Sequence, residues 1–439
     1  MMYFQADQVF ADAAAQYPHC AMLRWGEAMS KFHPLWPGQP SKEKVAEGQQ
    51  ALASIVALAD VSALETAFLN AAAAFYSGDD TPYPDRINAW ANAQRAAYEM
   101  APENPDAIAF QALGLLATAP RGEATYQNNG DAGALLEAAS EKIDRHPGVY
   151  HYLIHAYDNP ALYETALPFA QDYGAMAPNV PHALHMPSHI FIRAGRWEDA
   201  IAWDTRSARA ALDQPLGDVI SSHYAHAMDY LIYAYLQLGE VEQAKSLLAE
   251  FEGRQNQQSN FGSAYALAAS PMRVAAETGQ WEELANLSPE MHKAIAWEKF
   301  PQAVAMRWFA IGLGAARTDR IERADNALSE LHKIQATLQE RGIGYWAKLV
   351  EAQALSVDAW VHLSRGQSEE AIALQTQAAD IEDKIGKSPV TPGHVLPARE
   401  LLGDMLVILD HAEPAMMAYE KALELSPNRR RSVAALEDL

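Results

Sequence analysis

The feature that most constrains this chain is a punctuation mark that returns at a nearly fixed interval. It reads Ala194-Gly195-Arg-Trp197-Glu-Asp-Ala200, then Gly239-Glu-Val-Glu-Gln-Ala244, then Thr278-Gly279-Gln-Trp281-Glu-Glu-Leu284. Further copies are Asp319-Arg-Ile321 running on to Ala324, Arg365-Gly366-Gln-Ser-Glu-Glu-Ala371, and Asp410-His411-Ala-Glu-Pro414-Ala415. Taken from positions 195, 239, 279, 319, 366 and 411, the spacings are 44, 40, 40, 47 and 45. Glycine supplies the open turn that ends one helix, and the small residue after it lets the next helix pack closely. Between the marks, apolar residues recur every three or four positions, and no β-alternation is visible. The chain therefore reads as helical hairpins laid one after another.

The period exceeds the ~34 residues of a strict tetratricopeptide repeat, so the first helices are longer or the linkers fatter. Ala101-Pro102, Ala177-Pro178 and Ser426-Pro427-Asn428 close Ala-rich second helices. The expected fold is an all-α, tetratricopeptide-repeat-like solenoid of about nine or ten hairpins in a right-handed superhelix with a long concave face. It is read as one continuous domain over 1–439, with N-terminal hairpins in 1–145, His-rich central hairpins in 146–240 and C-terminal hairpins in 241–439. Two insertions interrupt it. One spans 119–130, with Pro120, Gly122, Asn128, Asn129 and Gly130; the other spans 386–397, with Pro389, Pro392 and Pro397. Three prolines exclude helix interior, so the second insertion is expected to be a rigid, extended lid at the mouth of the stack.

Charge removes whole classes of partner. A net charge of −23 leaves no Lys and Arg surplus for phosphate, so no nucleic-acid partner is expected. The acidic residues are dispersed and read as solvated faces. A single cysteine, Cys20, allows no internal disulfide and no Cys-rich zinc module; it reads as a small core residue on a helix. No run approaches ~20 apolar residues, so no membrane insertion is expected. The start lacks a basic and an apolar signal region, which points to the cytoplasm. Gly-rich phosphate loops, nucleophile elbows and dinucleotide fingerprints are missing, so no nucleotide cofactor is expected.

The chemistry lies in histidine. Eight of fifteen histidines fall between His146 and His226. His151, His155 and Asp158 share a helix face in His151-Tyr-Leu-Ile-His155-Ala-Tyr-Asp158. His185 and His189 do so in Pro181-His-Ala-Leu-His-Met-Pro-Ser-His-Ile-Phe191, provided the helix runs through Pro187; otherwise His182 and His185 precede it. His226 joins from a third stretch with Asp229 and Tyr230. If these are the first helices of successive hairpins, the three sets converge. His151, His155, Asp158, His185, His189 and His226 are then candidate ligands of one divalent transition metal: Zn, Fe, Mn or Cu. No glutamate stands inside either His-x-x-x-His, so the metalloprotease arrangement is not supported. Two alternatives stay open: a polar seam bonding carbonyls and tyrosines, and metal-free acid–base groups in a cleft. Arg273, Arg399 and Glu400 are candidate ligand-binding residues if their helices line the groove; a structural Arg–Glu pair is the alternative. The tryptophans read as packing, and Arg429, Arg430 and Arg431 as a solvated cap on the last helix.

Several of these motifs together resemble a bacterial family of tetratricopeptide-repeat-like proteins. They are Cys20-Ala-Met with Trp25-Gly26, the two histidine motifs just quoted, Tyr233-Ala-Tyr-Leu-Gln237, Val390-Thr-Pro-Gly393, Leu396-Pro-Ala-Arg-Glu-Leu-Leu-Gly-Asp-Met405 and Pro427-Asn-Arg429. The resemblance spans essentially the whole chain and implies the fold but no reaction. His394 stands where the resemblance leads one to expect proline. Relatives begin further upstream, often with an export signal, which implies a truncated start here. Two functions are carried forward: a binding or scaffold protein with a His-lined, metal-binding groove for a peptide or small molecule, or a metal-dependent hydrolase or oxidase using the His/Asp cluster.

Overall fold

The computed structural model describes residues 2–36, 40–55, 61–120 and 126–439. Gly122 lies outside them. The described residues form 22 α-helices, one 3-10 turn and no strand beyond isolated bridges. They fall into two compact units.

The first unit holds α1 (Tyr3–Gln16), α2 (Ala21–Met29), α3 (Lys42–Ala53), α4 (Ala63–Phe75), α5 (Tyr83–Met100), α6 (Pro105–Ala117), α7 (Gln127–Ser140) and α8 (Pro147–Tyr157). Ser62 and Glu65 close a reciprocal capping box that starts α4. Phe32, Phe75, Tyr83 and Trp90 form an aromatic core, with Phe32 and Phe75 stacked at 3.8 Å. Asn128, Asn129 and Gly130, expected in an insertion, belong instead to α7, where Asn129 donates to the Ala156 carbonyl. Cys20 is also corrected: it is exposed and caps α2 without entering the core.

The second unit holds α9 (Tyr163–Tyr173), α10 (Pro181–Arg193), α11 (Trp197–Asp213), α12 (Ser222–Leu238), α13 (Val241–Gly253), α14 (Phe261–Glu277) and α15 (Trp281–Ala285). It continues through α16 (Pro301–Ala316), α17 (Ile321–Glu340), α18 (Gly344–Ser364), α19 (Ser368–Ile385), α20 (Ala398–Ile408), α21 (Ala412–Leu425) and α22 (Arg430–Asp438). The even-numbered members from α10 to α20 are first helices, each packed on the next; the odd-numbered members from α11 to α21 are second helices.

The punctuation has one physical form throughout this unit. Gly195, Gly239, Gly279, Asp319, Gly366 and Asp410 all have positive φ. The residue after each donates its N–H to a carbonyl five residues back, as in Arg196→Phe191, Glu240→Tyr235, Gln280→Ala275 and Arg320→Ala315. This is the closing bond of a Schellman turn, which satisfies an otherwise orphaned helix carbonyl. Five residues beyond each turn stand Ala200, Ala244, Leu284, Ala324, Ala371 and Ala415, all without solvent exposure. The sixth mark is therefore Asp410 and not His411. Aspartate tolerates the left-handed conformation nearly as well as asparagine, so the turn survives without glycine.

Two features depart from a simple stack. The insertion at 386–397 is no lid at a mouth: Val390, Thr391, Val395 and Leu396 are buried, and the segment crosses first helices α12, α14 and α18. The last turn also folds back on the beginning of the unit. The Pro427 carbonyl and Asn428 sit so close to Gly195 that an added Cβ would lie 2.5–2.8 Å from them. The Arg430 N–H donates to Gln237 on α12 at 2.9 Å. Arg429, expected in a solvated cap, is fully buried between Glu277 at 2.5 Å and Glu400 at 2.8 Å. Burial opposes charge on both Arg429 and Glu400. Their mutual attraction outweighs it, so Glu400 stays below and Arg429 well above its ordinary range.

Candidate metal centre

Helix α10 carries the densest chemistry and is buried along its whole length. It begins at Pro181, where proline's missing N–H is harmless, and it continues through Pro187. His182 and His185 are therefore helical, and His185 and His189 are successive on one face. Their ring centroids are 4.8 Å apart and their Nε2 atoms 3.1 Å apart. His226, half-buried on the neighbouring first helix α12, brings its ring to 4.2 Å from that of His185 and 5.9 Å from that of His189. One ring nitrogen from each of the three lies within 4.8 Å of the others.

The outer nitrogens are held by oxygen. His185 Nδ1 is 2.6 Å from the fully buried Asp204 carboxylate on α11. Tyr230, one turn beyond His226, places its hydroxyl 3.2 Å from His189 Nδ1. That hydroxyl has one proton, and the Thr391 and Pro389 carbonyls stand before it at 3.1 and 3.4 Å. It therefore donates to the loop and accepts from His189 Nδ1–H, which leaves the His189 Nε2 lone pair turned toward His185. Burial drives Asp204 well above the usual carboxylate range, against the pull of Ser188 and His189. Asp204 is hydrogen-bonded to His185 Nδ1, and His185 Nε2 to His189 Nε2. The result is one continuous line from Asp204 through His185, His189 and Tyr230 to Thr391. His226 is pushed well below its usual value, first by burial and then by His185, His189 and His223, and so stays neutral with a lone pair to offer.

Asp204 escaped the sequence reading although a signal was present. The buried stripe of α11 runs Trp197, Ala200, Asp204, Ser207, Ala208 and Ala211. An acid on that apolar face needs a partner.

The other predicted residues are placed as follows. In the first unit, His151 and His155 lie on α8 with ring centroids 4.8 Å apart, and Asp158 is the helix C-cap. In the second, Arg273 is fully buried and paired to Asp229 at 2.8 Å. It also donates to Thr391 Oγ1 at 2.6 Å and to the Gly393 carbonyl at 2.9 Å. Arg399 pairs with Asp383 at 2.5 Å and Asp380 at 2.7 Å. Glu400 meets Arg429 and accepts from Ser432 at 2.6 Å. All three charges are matched inside the protein. Arg317 shows the same use of the tryptophans: its guanidinium lies 3.9 Å from the Trp281 ring and 3.8 Å from the Trp360 ring.

Residues 396–429, the α20–α21 hairpin with its closing turn, match the tetratricopeptide repeat. With the hairpin geometry above, this makes the chain a tetratricopeptide-repeat-like all-α protein, the architecture of binding and scaffold proteins. No curated protein is significantly similar in sequence. Solved structures that match the chain include a human IFIT1 dimer with m7Gppp-AAAA, 12% identical, covering 92% of this chain and 90% of its own, with a TM-score of 0.41. Yeast Tom70 is 12% identical over 99% of this chain and 84% of its own, with a TM-score of 0.39. The P58(IPK) TPR domain is 14% identical over 86% and 97%, with a TM-score of 0.24. No helix of the described residues is long and apolar enough to cross a membrane.

Proposed function

We propose that this is a helical-repeat binding protein whose second unit holds one divalent transition metal on His185, His189 and His226. The observation that carries the reading is the approach of three imidazoles from two adjacent first helices, two of them with Nε2 atoms 3.1 Å apart. Two imidazole nitrogens held ~2.0–2.1 Å from one tetrahedral ion stand ~3.3 Å apart, so the pair needs little movement to bind. Asp204 and Tyr230 supply the outer-shell oxygens that fix ring orientation in such sites. A nitrogen-rich, thiolate-free set suits Zn, Cu(II), Fe or Mn. Peptides or small molecules are the partners this architecture recognises.

Metal content of the full chain after equilibration with Zn²⁺ and removal of excess tests the reading. One equivalent is expected, falling below a tenth in His185→Ala/His189→Ala. The same measurement on His151→Ala/His155→Ala reads the first unit's pair by itself. Native protein that retains less than a tenth of an equivalent overturns the proposal. A metal bound with an exchangeable water, detected by relaxation of solvent protons with Mn²⁺ or Cu²⁺ in the site, favours the hydrolase or oxidase alternative.

A further inference from the structure

The line of hydrogen bonds does not stop at the imidazoles. Tyr230 accepts from His189 on one side and donates to the 386–397 segment on the other. That segment has a second fastening, where Arg273 grips Thr391 Oγ1 and the Gly393 carbonyl, and a third, where Tyr345 donates to the Gly386 carbonyl at 2.8 Å. Because Asp229, the partner of Arg273, is the residue before Tyr230, adjacent residues of α12 support both the strap and the histidines.

Resting on the metal reading, we infer that the 386–397 segment is a strap whose seating is coupled to occupancy of the His185–His189–His226 site through the Tyr230 hydroxyl. A cation on His189 Nε2 withdraws electron density from the ring and makes Nδ1–H a stronger donor to Tyr230. The polarised hydroxyl then donates more strongly to Thr391, since hydrogen bonds in a chain reinforce one another in a low dielectric. Coordination also fixes the ring that aims the hydroxyl. The linkage is reciprocal: the factor by which metal favours the seated strap is the factor by which the seated strap favours metal.

The test uses the full chain, stripped with chelator and then given one equivalent of Zn²⁺. Calorimetry reads binding, and amide hydrogen exchange reads the peptide covering 386–397. In the native protein Zn²⁺ is expected to slow exchange there several-fold. In Tyr230→Phe, Zn²⁺ is expected to bind ~10–100-fold more weakly, the usual loss of an outer-shell partner, and at saturation to leave strap exchange unchanged. Thr391→Val, which loosens the strap from the Arg273 side and touches no imidazole, is expected to lower Zn²⁺ affinity several-fold. Binding without any change in strap exchange, or equal slowing in native protein and Tyr230→Phe, overturns the coupling and leaves the metal site standing. Failure of the native protein to bind Zn²⁺ overturns the site and the coupling together.

Discussion

Two fully buried arginines, one in each unit, solve the same problem in opposite ways. Arg86, in the first unit, donates to the carbonyls of Phe75, Ser77, Gly78, Asp79 and Thr81, all within eleven residues. Arg429, in the second, is neutralised by Glu277 and Glu400, and the Tyr233 hydroxyl, 196 positions away, lies 3.4 Å from it. The first arginine staples a turn to itself. The second ties α22, the turn before it, α14 and α20 into one network, which Arg431 extends to Asp404 at 2.7 Å. Tandem hairpins ordinarily depend on nearest neighbours alone, so their stability is close to a sum over repeats. The second unit is different: its last turn closes on its opening hairpins, and its 386–397 segment runs back to helices more than 100 residues earlier. Local opening of one hairpin there has to break bonds that belong to another.

Arg429→Leu is the hardest blow to this contrast. It leaves Glu277 and Glu400 buried without their main counter-charge, which costs about 3–5 kcal/mol. Urea denaturation is expected to show that loss together with a broader transition, because the far ends of the unit are uncoupled. A loss under about 1 kcal/mol would mean that the closure contributes nothing to cooperativity. Next comes Arg273→Leu, expected to cost about 3 kcal/mol by stranding Asp229. Arg273→Leu/Asp229→Leu should recover at least half of it, since the unpaired charge goes too. Arg86→Met has no such rescue. Its carbonyl acceptors sit in a turn partly reached by water, so the expected loss is about 1–3 kcal/mol, with no stabilising second substitution at any carboxylate.

These arginines also mark where the sequence is legible. Helical punctuation is local, so five of the six turn positions can be read from Gly or Asp and the small residue after it; only Asp410 hid behind His411. The 3- and 4-residue spacing of His185, His189 and their neighbours is equally local, and helix geometry alone puts them on one face. Arg429-Arg-Arg431 shows the opposite. Three consecutive arginines look like solvated surface, and Arg430 is; the carboxylates that pair with Arg429 and Arg431 lie as far as 152 residues away. The strap carried a usable warning: Val390, Val395 and Leu396 are too apolar for an exposed lid, and their prolines say only that the segment is extended. Asp204 needed the burial of α11 before an acid in its stripe acquired a meaning.

Glu382 adds a third way of burying an ionisable group, by leaving it uncharged, and it gives the smallest effect at pH 5. It accepts from the Ala398 N–H at 2.7 Å, and its other oxygen is 3.5 Å from His394 Nδ1. Burial lifts it to about 8, against the pull of the Ala398 hydrogen bond, while His394 is lowered to about 3, first by burial and then by the nearby Arg273. Both groups are therefore neutral near pH 7. An acid raised in the folded state binds a proton that the unfolded chain has lost. Between the ordinary glutamate value of about 4.5 and about 8, stability therefore falls as pH rises, by up to about 1.4 kcal/mol per pH unit. Glu382→Gln keeps an acceptor for the Ala398 N–H but has no proton to lose. Its melting temperature should match the native protein at pH 5, pull ahead through pH 6 and 7, and level off above pH 8. Parallel profiles from pH 5 to 9 would place the ionised carboxylate in the folded state, and the strap's second end would then be held by charge, as Arg273 holds its middle.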